Sequence, residues 1–165
     1  MVELKIFCNL KMLNKELKKV VIGGTFDILH DGHKALLKRA FELGKVFIGF
    51  TSDKMAQKLR KRKIKSFVER KRGLRKFILE NFKKKPKITK IEDKFGFTLK
   101  EDFDFIVVSP ETYQTAVEIN KKRLKRKRKL IEIVEIDFVL AEDGKPISAE
   151  RIAKGEIDKK GKLLK

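Results

Sequence analysis

Residues 19–33 read KVVIGGTFDILHDGH and combine an apolar run, a pair of glycines and both histidines of the chain. The run from Lys19 to Gly23 is rich in β-branched residues, which predicts a short buried strand. Residues 32–44 then repeat apolar side chains at helical spacing, and Gly44 ends the pattern. A buried strand, a glycine loop and an amphipathic helix are typical of the first unit of an α/β domain.

The rest of the chain alternates in the same way. Further strands are predicted at Val46 to Phe50, Lys87 to Ile91, Phe105 to Val108 and Leu130 to Val139. Further helices are predicted after a capping Ser52, over residues 67–82, from Glu111 to about Arg126, and from near Ser148. Each connection is long enough for a crossover, so the sequence predicts a doubly wound parallel sheet, a Rossmann-like α/β fold. Ligands of such sheets bind at the carboxyl ends of the strands.

Length and composition indicate a single domain. The chain has 165 residues, of which 41% are hydrophobic and 40% charged. We expect residues 1–17 to form an N-terminal extension of uncertain structure and residues 18–165 to form the domain. No apolar run approaches the roughly 18 residues that span a bilayer, and the first residues do not resemble a secretory signal. Because the lone Cys8 cannot form an internal disulfide, we expect a cytoplasmic protein, and we favour a monomer.

The charge balance is strongly basic and does not choose a function. Lys and Arg number 43 against 23 Asp and Glu, a formal net charge of +20. Such an excess is expected of a nucleic-acid binder, of a protein with polyphosphate substrates, and of a thermally adapted protein. The basic run 121–129 is interpreted first as solvated surface, with a nucleic-acid patch as the alternative. The basic run 58–65 is interpreted either as a mobile loop that closes over phosphates or as solvated surface.

The loop between the first strand and the first helix suits a phosphate ligand. The paired glycines Gly23 and Gly24 allow the backbone to approach a ligand closely. His30-Asp31-Gly32-His33 then enters a helix, whose free N–H groups and positive dipole end favour an anion. The two histidines could instead belong to a metal site, but no third histidine and no cysteine pair accompanies them.

The eleven-residue pattern GGTFDILHDGH resembles the signature of the nucleotidylyltransferase superfamily, built around H-x-G-H. Within it, the segments FIGFTSDKMA, IVVSPETYQTAVEIN and VLAEDGKPISAERIAKGEID resemble the archaeal type of phosphopantetheine adenylyltransferase, over nearly all of residues 18–158. The resemblance implies condensation of ATP with 4′-phosphopantetheine to dephospho-coenzyme A and pyrophosphate, with Mg²⁺ carried by ATP and no metal ligand from the protein. A reaction between two phosphate groups needs positioning and charge stabilisation more than a nucleophilic side chain.

The resemblance also implies roles for individual residues. His33 would stabilise the transition state at the α-phosphate, and His30 would help to bind the nucleotide phosphates. Thr25 and Phe26 would contact both substrates. The full nucleotide-binding set is Gly24, Thr25, Phe26, His30, His33, Ser148 and Arg151. The segments Thr51-Ser52-Asp53 and Ser109-Pro110-Glu111 would line the pantetheine or the adenine pocket, and the set expected to bind substrate is Thr25, Thr51 and Ser109.

The second signature of the superfamily, I-S-S-T-x-x-R, is altered here. Ser148 is retained, but Ala149, Glu150 and Ala153 replace the second Ser, the Thr and the Arg. Because a carboxylate facing a triphosphate would repel it, we expect Glu150 to point away and Arg151 or Lys154 to supply the missing charge.

These changes keep other functions open. The alternatives are a nucleotidylyltransferase with another phosphate acceptor, and a non-catalytic basic protein that binds nucleic acid on the same fold. The sequence contains no helix-turn-helix, zinc-finger or aromatic RNA-binding motif, so nucleic acid is the less favoured partner.

Overall fold

The computed structural model describes residues 17–164. Its centre is one five-stranded sheet in the order β3-β2-β1-β4-β5, in which every neighbouring pair is parallel. The strands are β1 (Lys19–Gly24), β2 (Lys45–Thr51), β3 (Lys87–Ile91), β4 (Phe105–Val108) and β5 (Glu132–Glu135). The helices are α1 (Asp31–Leu43), α2 (Asp53–Lys58), α3 (Phe67–Phe82), α4 (Pro110–Lys125) and α5 (Ala149–Ala153). The predicted doubly wound α/β fold is confirmed.

The central strand β1 is buried on both faces, as its continuous apolar run predicts. Val20 and Ile22 pack on one face with side chains of α1 and α3, such as Leu37 and Leu74. Val21 points to the opposite face, into a second core cluster that includes residues of α4. Helices therefore cover both sides of the sheet and leave the carboxyl ends of the strands as the open edge.

Local signals set most of the helix ends. Ser52 caps α2 by accepting from the Met55 N–H, and Ser66 forms a capping box with Glu69 at the start of α3. Gly44 follows the last residue of α1, where a Cβ would lie 2.1 Å from the Lys18 carbonyl oxygen. Only glycine fits that close approach.

Two details differ from the sequence prediction. The strand expected from Leu130 to Val139 is wrong in length, because β5 covers only Glu132–Glu135. It is an edge strand, and the four residues of β4 pair with its four residues and no more. A 3-10 turn over Gly96–Leu99 was not predicted, and it follows a loop in which the Asp93 carboxylate accepts two backbone N–H groups.

The basic run 121–129 is partly structural. Arg123 is fully buried and binds carbonyl oxygens of the 98–101 loop as well as Asp102, while Arg128 also pairs with Asp102. Lys129 pairs with Asp104. Because several of its cations hold the fold together, this run is not a free stripe of positive charge.

The predicted N-terminal extension, residues 1–17, lies almost wholly outside the described residues. In the part of the chain that is described, no helix is long and apolar enough to cross a membrane.

Candidate active site

The site is a crevice between β1 and β4, where the strand order changes direction. The two strands pair only at Val20–Phe105 and Val21–Ile106, and beyond those residues they separate. The gap opens at the carboxyl end of the sheet, the usual ligand position of an open α/β fold. Two cavities of about 300 and about 420 Å³ lie in it.

The first, which we call the histidine cavity, contains the signature loop. It is lined by Gly23 to Asp27, His30, Gly32 and His33, by Arg60, by the start of α4, and by residues 136–139 and 147–150. The second, the apolar cavity, is lined mainly by β1, by β4, by the 94–98 loop and by Thr112 to Ile119 of α4. The residues that line both are Gly23, Gly24, Thr25, Arg60, Glu111 and Thr112. The two cavities therefore meet at the loop after β1.

The backbone of this loop is strained at Phe26. Its φ is 48°, a left-handed conformation that costs a non-glycine residue of the order of 1–3 kcal/mol. The Phe26 ring is buried, stacks parallel to Phe50 at 6.0 Å and lies 5.2 Å from the His33 ring. A Cβ on Gly24 would come within 2.8 Å of this ring. Gly24 thus allows Phe26 to fold back and support His33.

His30 holds the start of α1. It is the N-cap residue, and its Nδ1 accepts a hydrogen bond of 3.1 Å from the Gly32 N–H. With Nδ1 acting as an acceptor, the proton of the neutral ring lies on Nε2. Burial lowers the pKa of His30 to about 4, against a smaller opposing effect of Asp31. His30 is therefore a neutral cap at ordinary pH.

His33 is held neutral more strongly. Its Nδ1 is buried and has no hydrogen-bond partner within residues 17–164, whereas a protonated ring would need an acceptor at both nitrogens. Burial, then the neighbouring His30 and Arg60, lower the pKa of His33 to about 3. The two imidazole centroids are 4.0 Å apart. His33 can thus offer a neutral N–H donor to a ligand in the cavity.

We expect this pair to make the fold sensitive to acid. The folded-state pKa of His30 is depressed to about 4, whereas the same ring titrates near 6.5 in the unfolded chain. As the pH drops from 6.5 towards 4, the unfolded chain therefore binds a proton that the folded protein does not bind, and the free energy of unfolding falls. The loss from His30 should be on the order of 2 kcal/mol between pH 7 and pH 5. Urea titrations at both pH values should show that His30→Asn, which retains a capping side chain, loses about 2 kcal/mol less than the wild type. Equal losses in the two proteins would contradict the assignment.

Arg70, which the sequence did not single out, fixes the position of two residues of the site through hydrogen bonds. It is fully buried in α3 and donates to the carbonyl oxygens of Thr25 and Thr51, each at 2.9 Å, and to the Thr51 hydroxyl at 3.2 Å. Since the Thr51 hydroxyl accepts from Arg70, it gives its own proton to the Thr25 hydroxyl, 3.3 Å away. The Thr25 proton is then free to bind a ligand.

The basic run 58–65 closes one side of the histidine cavity. Arg62 donates to Asp27 of the signature loop at 2.5 Å, and the Lys65 N–H donates to the same carboxylate at 3.1 Å. Asp27 thereby fastens this run to the loop after β1. The Arg60 side chain reaches the point where the two cavities meet. Arg60 and Arg62 therefore support the interpretation as a basic loop beside the cavity, whereas the four lysines of the run are exposed, in agreement with the interpretation as solvated surface.

The altered second signature, residues 147–153, contributes residues 147–150 to the wall of the same histidine cavity. Ser148 caps α5 by accepting from the Arg151 N–H, and it lines the histidine cavity. Glu150 lines the cavity too, with Oε1 3.5 Å from Arg60 Nε and 3.4 Å from Arg62 Nε. The expectation that Glu150 points away from the cavity is therefore wrong. It failed because the two arginines, which are remote in sequence, attract the carboxylate inward.

The Arg151 side chain does not line the histidine cavity. Its guanidinium pairs with Asp143 at 2.5 Å and with Glu156 at 3.0 Å, and it donates to the Pro146 carbonyl oxygen. The structure does not bring Arg151 or Lys154 to the wall of the cavity, so neither replaces the charge missing at Ala153. The cations at this position are Arg60 and Arg62 instead.

The remaining predicted residues divide between the cavities. Gly24 and Thr25 line both, Phe26, His30, His33, Ser148 and Ser109 line the histidine cavity, and Thr51 lines the apolar cavity. The structure thus brings together all the predicted site residues except Arg151. Asp27 and Arg70 were not predicted as site residues, and Arg60 and Arg62 were predicted only as part of the basic run 58–65.

Comparison with known proteins agrees with this geometry. The family model described as cytidylyltransferase-like matches residues 21–155. The phosphopantetheine adenylyltransferase of Methanosarcina acetivorans is 51% identical over 150 residues, which are 88% of this chain and 95% of that protein. The chain belongs to the phosphopantetheine adenylyltransferases of the cytidylyltransferase-like family.

Two further proteins are also similar to this chain over most of their length. The phosphopantetheine adenylyltransferase of Archaeoglobus fulgidus is 45% identical over 148 residues, 88% of this chain and 99% of that one. A crystal structure of a protein with unknown function from Archaeoglobus fulgidus has a TM-score of 0.70 and 41% identity, covering 72% of this chain and 89% of that chain. Membership makes this chain a nucleotidylyltransferase of coenzyme A biosynthesis.

Proposed function

We propose that this enzyme transfers the adenylyl group of ATP to 4′-phosphopantetheine, forming dephospho-coenzyme A and pyrophosphate. The observation that carries the proposal is the junction of two cavities at the signature loop. One cavity holds the histidines, a helix N-terminus and Arg60, which suits a nucleoside triphosphate. The other is mostly apolar and suits a long, uncharged arm with a phosphate at its end.

The reaction would occur where the cavities meet. An oxygen of the acceptor phosphate attacks the α-phosphorus of ATP, the bond to the bridging oxygen breaks, and pyrophosphate leaves. The free proton of the Thr25 hydroxyl would hold the acceptor phosphate at the junction. The neutral N–H of His33 would donate to the α-phosphate as negative charge grows there. No general base is needed because the attacking group is already an anion.

Mg²⁺ would enter with ATP. Within residues 17–164, no group of three His, Cys, Asp or Glu side chains could hold a metal ion alone. A magnesium ion on a triphosphate keeps several waters and needs only one or two carboxylates. Glu111 and Asp137 line the histidine cavity and make no ion pair in the described part of the chain, so they fit that role. The ion would neutralise charge on the phosphates.

The location and the oligomeric state stay predictions. The lone Cys8 favours a reducing compartment, and we propose the cytoplasm. A monomer is the favoured oligomeric state, and size-exclusion chromatography with light scattering measures it directly.

The proposal is tested by pyrophosphate release with ATP, Mg²⁺ and a panel of phosphate acceptors. We expect 4′-phosphopantetheine to be used with a kcat/KM at least a hundredfold above that of FMN, nicotinamide mononucleotide or glycerol phosphate. Pantetheine without its phosphate should be inactive and serves as the matched control. Pyrophosphate release with a different acceptor, but not with 4′-phosphopantetheine, would assign the enzyme to another nucleotidylyltransferase reaction.

A further inference from the structure

Glu150 lines the cavity although its negative charge predicts that it should point away from bound phosphates. A carboxylate stands at a position where the superfamily signature has a threonine, and it lies on the wall of the cavity that suits a triphosphate. Yet this carboxylate is not alone, because its Oε1 atom is buried between two guanidinium groups. The position of that oxygen resembles that of a bound anion more than that of a ligand-repelling charge.

The two arginines are held for this contact by other parts of the structure. Arg62 is fixed by Asp27, and Gln57 donates to the carbonyl oxygens of both Arg60 and Arg62, at 3.3 and 3.0 Å. Arg60 Nε, Arg62 Nε and Arg62 Nη2 are buried, and none of them makes a hydrogen bond of good geometry within residues 17–164. Their pairing with Glu150 at 3.4–3.5 Å is therefore electrostatic and loose. Buried donors of this kind favour an oxyanion that can accept from them at shorter range.

We propose that Glu150 sets the affinity of the nucleotide site, because its carboxylate occupies Arg60 and Arg62 in the empty enzyme and must yield them to a phosphate of ATP. This inference rests on the proposed function, in which the histidine cavity binds the triphosphate. Glu150 acts as an internal competitor for the two arginines. Removing its charge leaves the arginines free for the nucleotide and also removes its repulsion of the phosphates.

The test is the dissociation constant of ATP, measured by calorimetry without acceptor substrate, for the wild type and for Glu150→Gln. We expect Glu150→Gln to bind ATP at least tenfold more tightly, which corresponds to about 1.4 kcal/mol. Adenosine, which has no phosphate, should bind both proteins equally. Glu156→Gln is the matched control, because Glu156 also pairs with an arginine, Arg151 of α5, but lies outside the cavity wall. It should leave the dissociation constant of ATP unchanged.

A second set of variants tests whether the effect passes through the arginines. In an Arg60→Gln/Arg62→Gln background, Glu150→Gln should change ATP affinity by less than threefold. A full tenfold gain in ATP affinity in that background would overturn the proposal that Glu150 competes with ATP for the arginines. General charge repulsion by Glu150 would then explain the effect. If the double substitution unfolds the protein, Arg60→Gln alone serves as the background, because it leaves the Arg62–Asp27 contact intact. In that background, the increase in ATP affinity caused by Glu150→Gln should be at most half of the increase seen in the wild type.

The remaining outcomes separate this inference from the proposed function. If the wild type binds no ATP at all, the proposed function fails. If it binds ATP and Glu150→Gln binds it equally well or more weakly, only the inference on Glu150 fails. The titrations are run with and without Mg²⁺. Weaker binding by Glu150→Gln with Mg²⁺ alone would make Glu150 a ligand of the ion and would also overturn the inference.

Discussion

His33→Ala should lower kcat by a factor on the order of 10²–10³ while changing the dissociation constant of ATP by only a few-fold. The reason is that His33 lines the cavity as a neutral ring, and a hydrogen bond from such a ring to the α-phosphate gains most when charge develops there. Its support comes from the Phe26 ring at 5.2 Å and the His30 ring at 4.0 Å. Steady-state rates together with calorimetric ATP binding measure the two effects separately.

His33→Asn is the informative companion variant. Because the pKa of His33 is lowered to about 3, the ring acts as a neutral donor across the working pH range. An amide N–H can partly replace a neutral donor, so we expect His33→Asn to be more than tenfold faster than His33→Ala. If both variants were equally slow, a charged imidazolium would be the better description. Equal losses in ATP binding and in kcat would instead assign His33 to ground-state binding.

Arg70→Lys should reduce both stability and catalysis. Lysine cannot reproduce a guanidinium that contacts Thr25, Thr51 and Asp53 together, so buried carbonyl oxygens lose their partners. We expect the free energy of unfolding to fall by about 3 kcal/mol. This corresponds to a drop in Tm of roughly 6–12 °C. Because Thr25 and Thr51 then lose their fixed positions, kcat should fall on the order of tenfold to a hundredfold at temperatures well below the transition.

The matched control for Arg70 is Arg123, the other fully buried arginine. It also binds several carbonyl oxygens and one aspartate, and it lines neither cavity itself, although the Thr98 carbonyl that it binds belongs to a residue of the apolar cavity wall. Arg123→Lys should lose a similar amount of stability in thermal melts and keep its kcat. A comparable loss of kcat in Arg123→Lys would show that the effect of Arg70→Lys comes from general loosening of the fold. In that case Arg70 would not be a positioning residue.

The fold could be predicted almost completely, because its signals are local. Three predicted ranges, 67–82, 87–91 and 105–108, match α3, β3 and β4 residue for residue. Capping residues and apolar periodicity act over a few positions, so they can be recognised from the sequence alone. The length of β5 was not predictable in this way, since an edge strand extends only as far as its partner.

The site was predicted where one continuous segment builds it. Gly24, Thr25, Phe26, His30 and His33 lie within ten residues, and a single strand–loop–helix unit carries them into the same cavity. Arg70 was missed, and Arg60 and Arg62 were not distinguished from the other cations of the run 58–65, for a compositional reason. In a chain with 43 lysines and arginines, no local signal separates the few cations that point inward from the many that face solvent.

The sequence by itself therefore determined the order of the elements, the signature loop and the family of reaction. The tertiary structure alone decided the charges around that loop. Asp27 meets Arg62 across 35 positions, and Glu150 meets the same arginine from the other end of the chain. The direction in which Glu150 points depends on these distant guanidinium groups, because a carboxylate is drawn to the nearest buried positive charge and not to a place set by its own helix.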